Sequence, residues 1–530
     1  MRFPRLFTSK VLYTRTEGVS TEERDVLQRI PVRIRFSLLA AVTAFLVHLA
    51  CNPHYGFFGD ELYFIVCGRH PQWNYVDQPP IAPLLAAASQ VFGPSLVLLR
   101  ALPALFAGAG ILVTCLIVLE FGGETYAQFL SAIVVFFLPV LTDFGMKVSP
   151  DMVGLWSWPL ITLWIVRLTK GVHSGLWIPI GVLMGVSILS KYSVLFFVTA
   201  LLVGLLLTRE RRILLSPWFV LGALTSAIIA LPSFLWQVHY GYPMLEMLRA
   251  VRHGKNVIVG PLGYVGQQFL ISGFLWPFWI IGFIWLVFRP ALRFLAYSYV
   301  LLIAIMISLH GKHYYPADAY PYLIAAGCVQ VEAWTSELRR LRTLIAATAI
   351  LLGLVFVPVV MPVLPEAGLA NYYIKLHSFL HISRASTETE HRVYAQIPTD
   401  FASMHGWPEL TAIVNRVYAE LPPADQKQAV VLAQNYSEAA AIEFLSEPRL
   451  PVISGHNQYF LWGPRGYSGD VLICVGANCD SVSEVYRTCS LEATLQADWI
   501  QPSEYDIPIT VCRGIKKPIL ELWPQAKFYN

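Results

Sequence analysis

Long apolar stretches recur along the first two thirds of the chain, separated by short polar breaks. Stretches 34–52, 95–119, 125–143, 150–168, 174–190, 192–208, 213–236, 268–288, 291–310, 317–335 and 342–364 each approach spanning length. A helix needs roughly 20 apolar residues to cross a bilayer, so the pattern predicts about eleven transmembrane helices. Stretch 34–52 reads as a span rather than a cleaved leader. It follows a long polar and basic segment and lacks a small-residue cleavage site. After residue 364 no stretch of that length remains. Helical periodicity covers 408–421 and 437–446, and short strand-like runs occur at Ala429–Leu432 and Val471–Val475. The predicted architecture is a polytopic α-helical membrane domain, 34–364, between a cytoplasmic N-terminal segment, 1–33, and a soluble C-terminal α/β domain, 365–530. Loops 53–94 and 237–267 are too long for plain connectors and suit helices lying along the membrane surface.

Composition strengthens the membrane assignment. The chain is 56% hydrophobic and 14% charged, against about 25% charged residues in soluble proteins. Its mean hydropathy of +0.55 excludes an ordinary soluble enzyme. The net charge of +4 is modest and suggests no nucleic-acid partner. Its placement is more informative. Arg2, Arg5, Lys10, Arg15, Arg24, Arg29 and Arg33 share one predicted side with Arg167, Lys170, Arg209, Arg211, Arg212, Arg289, Arg293, Arg339, Arg340 and Arg342. That side is then cytoplasmic. An odd number of spans puts the tail outside, in a multi-pass protein of the inner or plasma membrane. Cys474, Cys479, Cys489 and Cys512 fall in that exported region, where one or two disulfides are expected. The Cys474/Cys479 spacing is a weak zinc signal without a matching second pair.

Several charged residues sit where charge is costly. Asp60 and Glu61 follow an apolar span directly, at the start of the first outside loop. Asp60 suits a general base, and Glu61 can share its site, bind substrate or hold a metal. The competing role is structural, with Asp60 as a helix N-cap and Glu61 in the first turn. Asp77 and Gln78 lie in the rigid Tyr75-Val76-Asp77-Gln78-Pro79-Pro80 turn, as binding residues or a helix cap. Asp151, in Ser149-Pro150-Asp151, has the same two readings. Lys191 stands between two apolar runs, beside Tyr192, with no acid nearby in sequence. A half-buried lysine there suits a lipid phosphate, or snorkels. His310-Gly311-Lys312-His313-Tyr314-Tyr315-Pro316 is compact, cationic and aromatic. Lys312, His313 and Tyr315 suit a departing phosphate, or an interfacial aromatic belt. All these residues fall on the predicted outside face.

In that order and spacing, Gly59-Asp60-Glu61-Leu62-Tyr63, Tyr75 to Pro80, Ser149-Pro150-Asp151, Leu189-Ser190-Lys191-Tyr192, Gly311 to Pro316 and Tyr320-Pro321 resemble a known group. It is the bacterial glycosyltransferase family 39, with its protein O-mannosyltransferases and lipid A aminoarabinose transferases. The resemblance covers roughly 35–335. It implies a GT-C fold and a sugar donor on polyprenyl phosphate. It also implies inversion at the anomeric carbon, with Asp60 activating the acceptor. No resident cofactor is implied, although related oligosaccharyltransferases hold a divalent metal at acidic loop residues. The expected partners are the lipid-linked sugar and the bilayer, with the acceptor open among protein, lipid and glycan. Asn435 to Ala439 and Ser454 to Tyr459 resemble a subset of members whose tail has no assigned role. A rival reading is a transporter or flippase for an anionic lipid-linked sugar, although no repeated halves are visible. A third is an envelope scaffold whose exported domain binds glycans.

Overall fold

A computed structural model describes residues 32–254, 257, 259–383, 390–391, 393–479 and 484–530. The basic segment 1–31 lies outside the described residues. Every predicted apolar stretch contains helix, but few helices run the full thickness of a bilayer unbroken. Ile34–Cys51, Leu96–Glu120 and Pro217–His239 are long and apolar enough by themselves. Pro261–Ile271 and Gly273–Val287 form a pair bent by 103°. Thr125–Phe137, Ser174–Ile188, Val194–Leu206 and Arg293–Leu309 are shorter apolar helices. The membrane part is therefore a bundle of several apolar helices, fewer of them full-length than the eleven apolar stretches. Proline explains one of the breaks. Helix Thr125–Phe137 stops before Pro139, which starts Pro139–Phe144, because proline has no amide proton to continue the ladder.

Small residues allow the bundle to close. A Cβ on Gly282 would lie 1.7 Å from the Leu323 carbonyl oxygen, and one on Gly327 would lie 1.9 Å from that of Phe278. Helices Trp276–Val287 and Tyr320–Trp334 thus pack backbone to backbone, as membrane helices do where small residues meet. Trp158 stacks on Phe197 with ring centroids 4.4 Å apart, and Tyr320 and Tyr322 are fully enclosed.

The C-terminal region carries five strands: β1 (Ala429–Ala433), β2 (Val452–Ile453), β3 (Val471–Val475), β4 (Tyr486–Leu495) and β5 (Ile507–Ile515). Their order is β2-β1-β3-β5-β4. β1 runs parallel to β2 and β3, while β5 is antiparallel to β3 and β4. The central strands β1 and β3 are buried almost throughout, which is why both read as continuous apolar runs rather than alternating ones. Cys489 on β4 pairs opposite Cys512 on β5, and the two form a disulfide. Cys474 and Cys479 are free thiols.

One apolar core joins this sheet to the first loop. Leu62, Ile65 and Val66 of helix Gly59–Arg69 share a cluster with Trp407, Leu410, Ile442, Val431, Ile473 and Val511. Helix Tyr436–Leu445 packs directly on helix Gly59–Arg69. A Cβ at Gly59 would come 2.8 Å from Ser437 Oγ and 3.1 Å from the Trp407 ring. Glycine at 59 therefore sets how closely the loop helix approaches the C-terminal unit.

Candidate active site

Helix Gly59–Arg69 begins at Phe58, which is its N-cap and contributes no side-chain cap. Asp60, one turn-position further in, is thereby spared the capping role and lines a cavity of about 1040 Å³. Its Oδ1 accepts a hydrogen bond from the Tyr436 hydroxyl at 2.9 Å. The Tyr436 ring packs at a tilt against Tyr63, with centroids 4.5 Å apart, and against His456 at 4.7 Å.

Glu61 points the other way. Glu61 and Arg100 are both 0% exposed and form an ion pair at 2.9 Å. Glu61 also accepts from the backbone N–H of Phe58 at 3.0 Å and of Val148 at 2.9 Å. Arg100 spends its other donors on the carbonyls of Asn52, His54 and Gly56, at 2.7, 3.2 and 2.7 Å. A carboxylate held this way is a brace. Glu61 ties the loop start to the helix carrying Arg100 and to the strand of chain before Asp151, and it does not line the cavity.

Asp77 and Gln78 both line the cavity. Neither caps a helix, since the N-cap of Ile81–Ser89 is Pro80. Asp77 accepts from the Tyr63 hydroxyl at 3.0 Å and from Asn457 Nδ2 at 3.4 Å. Burial pushes its carboxyl up to about 6, and the charge of Asp60 adds to that, against the lowering by the Tyr63 and Asn457 hydrogen bonds. Gln78 is 2% exposed, yet neither its Oε1 nor its Nε2 has a hydrogen-bond partner among the described residues. Each buried polar group left unmet costs about 1–3 kcal/mol. An amide kept in that state on a cavity wall is suited to a ligand.

The cations line the same cavity, each beside a carboxylate. Lys191 pairs with Asp151 at 2.5 Å and lies 4.4 Å from the Tyr315 ring centroid. Lys312 pairs with Glu390 at 2.7 Å. Tyr315 is therefore a platform under Lys191 and does not itself line the cavity. Asp151 is likewise not a helix cap, because helix Gly154–Thr169 has Val153 at that position. His313 lines the cavity, but burial, reinforced by Lys312, pulls it down to about 4. It is neutral near pH 7, so it serves as a hydrogen-bonding imidazole and not as the cation expected from its neighbours. Tyr192 is set back from the cavity, where its hydroxyl meets Asn74 Nδ2 and Ser233 Oγ, each at 2.6 Å.

Sequence reasoning missed two contributions. Lys147 bridges Asp143 at 2.6 Å and Asp400 at 2.8 Å on the cavity wall. The i, i+4 spacing of Asp143 and Lys147 was a legible signal for half of it. The second is the wall built by Gln434, Asn435, Tyr436, Ser437, His456 and residues 501–504; the motifs at Asn435 to Ala439 and Ser454 to Tyr459 marked part of it without placing it at the site. Among the described residues, no group of three or more His, Cys, Asp or Glu is placed to hold a metal ion.

Comparisons with known proteins bear on the fold and on part of the sequence. The family described as dolichyl-phosphate-mannose-protein mannosyltransferase matches residues 77–236. Lipid A galacturonosyltransferase RgtD of Rhizobium johnstonii is 26% identical over 239 residues, which is 44% of this chain and 49% of the relative. The match thus spans about half the length of that curated relative. The whole fold is similar to ArnT from Cupriavidus metallidurans solved with undecaprenyl phosphate. The TM-score is 0.58 at 15% identity, covering 90% of this chain and 97% of that one. The apo form of ArnT gives a TM-score of 0.56 at 13% identity over the same shares. At such identities the structural likeness shows the fold alone. Residues 77–236 are thus similar to that mannosyltransferase family, and the fold is similar to that of ArnT.

Proposed function

We propose that the chain transfers a sugar from a polyprenyl-phosphate carrier to an acceptor hydroxyl on the non-cytoplasmic face of the inner membrane. The observation that carries this reading is one cavity lined by Asp60, Asp77 and Gln78 and by three lysines, Lys147, Lys191 and Lys312. A carboxylate base and a set of cations are the two things such a transfer requires. The relatives' names point the same way. One is a lipid A galacturonosyltransferase, and the structural neighbour was solved with undecaprenyl phosphate.

The acceptor oxygen attacks the anomeric carbon of the donor, and its proton passes to an Asp60 carboxylate oxygen. The bond from that carbon to the phosphate oxygen breaks, and the electron pair leaves with the lipid phosphate. Lys191 and Lys312 offer ammonium donors to the oxygens on which that charge develops. Their carboxylate partners Asp151 and Glu390 hold the side chains in place before the phosphate arrives. Attack opposite the leaving phosphate inverts the anomeric centre. Gln78 donates to and accepts from the sugar, meeting both halves of its buried amide. The lysine and arginine bias of the loops supports the non-cytoplasmic side for the cavity and for the C-terminal unit packed on it.

The test is transfer by the purified full chain in nanodiscs containing an undecaprenyl-phosphate-linked sugar. Asp60→Asn should lower the rate by about 100-fold or more, the scale of a lost general base, while undecaprenyl phosphate still binds. Transfer at the normal rate would remove Asp60 from the role of base.

A further inference from the structure

The cavity has two chemically distinct walls. Its lysines, Lys147, Lys191 and Lys312, all come from the membrane half. Among the described residues beyond 430 that line it, none is lysine or arginine. That second wall presents amides, hydroxyls and a carboxylate: Asn435, Ser437, Gln501, Ser503 and Glu504. We infer that this C-terminal wall is the acceptor subsite and that it takes an uncharged saccharide. The inference rests on the transferase reading above.

Four observations support it. The volume of about 1040 Å³ lies at the upper end of small-ligand sites, which run about 300–1,000 Å³. It has room for an acceptor beside the donor head group. Next, the base stands against this wall. Tyr436, which holds Asp60 through its hydroxyl, begins the helix that carries Ser437. A hydroxyl that gives its proton to Asp60 must come within about 2.6–3.2 Å of it, and so beside Tyr436. Third, attack opposite a phosphate held by lysines brings the acceptor in from the lysine-free side.

The fourth observation concerns charge. Helix Tyr436–Leu445 aims its N-terminus at the cavity, yet two of its first three amides are met by its own surroundings. The Tyr436 N–H donates to His456 Nδ1 at 3.3 Å and the Glu438 N–H to Asn435 Oδ1 at 2.9 Å. Among the described residues beyond 430 that line the cavity, an anionic acceptor finds no lysine or arginine. Asn435 Nδ2 in turn donates to Glu504 Oε1 at 3.3 Å. Burial, with the neighbouring Glu504, pushes the fully enclosed Glu438 carboxyl well up. Amide, hydroxyl and carboxyl groups flanking the Tyr436 and His456 rings match the alternating O–H and C–H surfaces of a sugar ring.

The experiment uses the full chain in nanodiscs with an undecaprenyl-phosphate-linked sugar and three acceptor probes. These are a methyl-glycoside disaccharide, its phosphate ester, and a blocked serine tripeptide. The disaccharide should be glycosylated, its phosphate ester at least tenfold less efficiently, and the peptide at background. Gln501→Ala and Ser503→Tyr should each raise KM for the disaccharide at least tenfold, with KM for the donor within twofold and the unfolding temperature unchanged. Three outcomes overturn the inference: unchanged disaccharide KM in both variants, a rise confined to donor KM, or preference for the peptide or the phosphate ester. Release of sugar to water without transfer to any probe would reject the saccharide acceptor and leave the transferase reading standing. No turnover of any lipid-linked sugar would bring down both.

Discussion

Glu61 is adjacent to the proposed base, and its substitution separates a brace from a catalyst. Glu61→Gln keeps the shape and removes the charge. In the structure that carboxylate accepts two backbone N–H groups and faces a guanidinium, all at 0% exposure. A glutamine offers one acceptor oxygen and turns an NH2 group toward the Arg100 donors. Arg100 is left as a buried charge whose remaining contacts are the carbonyls of Asn52, His54 and Gly56. Breaking a buried pair on one side costs about 3–5 kcal/mol. The expected result is a fall of several degrees in the unfolding temperature of the purified protein, read by intrinsic tryptophan fluorescence. Activity should fall in proportion to the folded fraction, because the brace sets where Asp60 stands. Arg100→Met in the same background should recover part of the loss, since no unpaired charge then remains. A Glu61→Gln protein of wild-type thermal stability with greatly reduced turnover would refute this, and would return Glu61 to a direct chemical role.

Three further outcomes follow from the site. Gln78→Met replaces a buried, unpartnered amide by an apolar chain of similar length. It should raise the unfolding temperature, by a margin matching about 1–3 kcal/mol, while raising donor KM; lower stability in thermal melts would mean the amide is already satisfied. Asp77 has a carboxyl raised to about 6 in the folded protein, so the folded state holds a proton that the unfolded chain releases near 3.8. Its stabilising effect is therefore complete below about pH 4 and lost as pH rises through about 6. Asp77→Asn should flatten that decline, by roughly 2 kcal/mol, in melts recorded from pH 4 to 7; parallel curves would contradict it. Lys191→Ala removes a phosphate donor and strands Asp151, so undecaprenyl phosphate should bind at least tenfold more weakly by microscale thermophoresis. Asp151→Asn alone should weaken binding far less, and equal losses would assign the pair a structural role.

Much of this protein is legible in its order of residues. Apolar runs of spanning length give the helical bundle, and the bias of arginine and lysine between loops predicts its orientation. Asp60, Asp77, Asp151, Lys191 and Lys312 stand out because charge at the end of an apolar run is costly and calls for a reason. The strands Ala429–Ala433 and Val471–Val475 show as short apolar runs. These are local properties, set by a few consecutive residues and by water. The partnerships are not local. Glu61 meets Arg100 at a separation of 39 residues, Lys147 meets Asp400 across 253, and Asp60 meets Tyr436 across 376. The tertiary structure alone decided that Glu61 braces while Asp60 faces the cavity, that His313 stays neutral, and that the C-terminal sheet closes the site. The physical reason is that burying a charge or an amide is favourable or costly according to what stands opposite it, and only the folded chain brings that partner there.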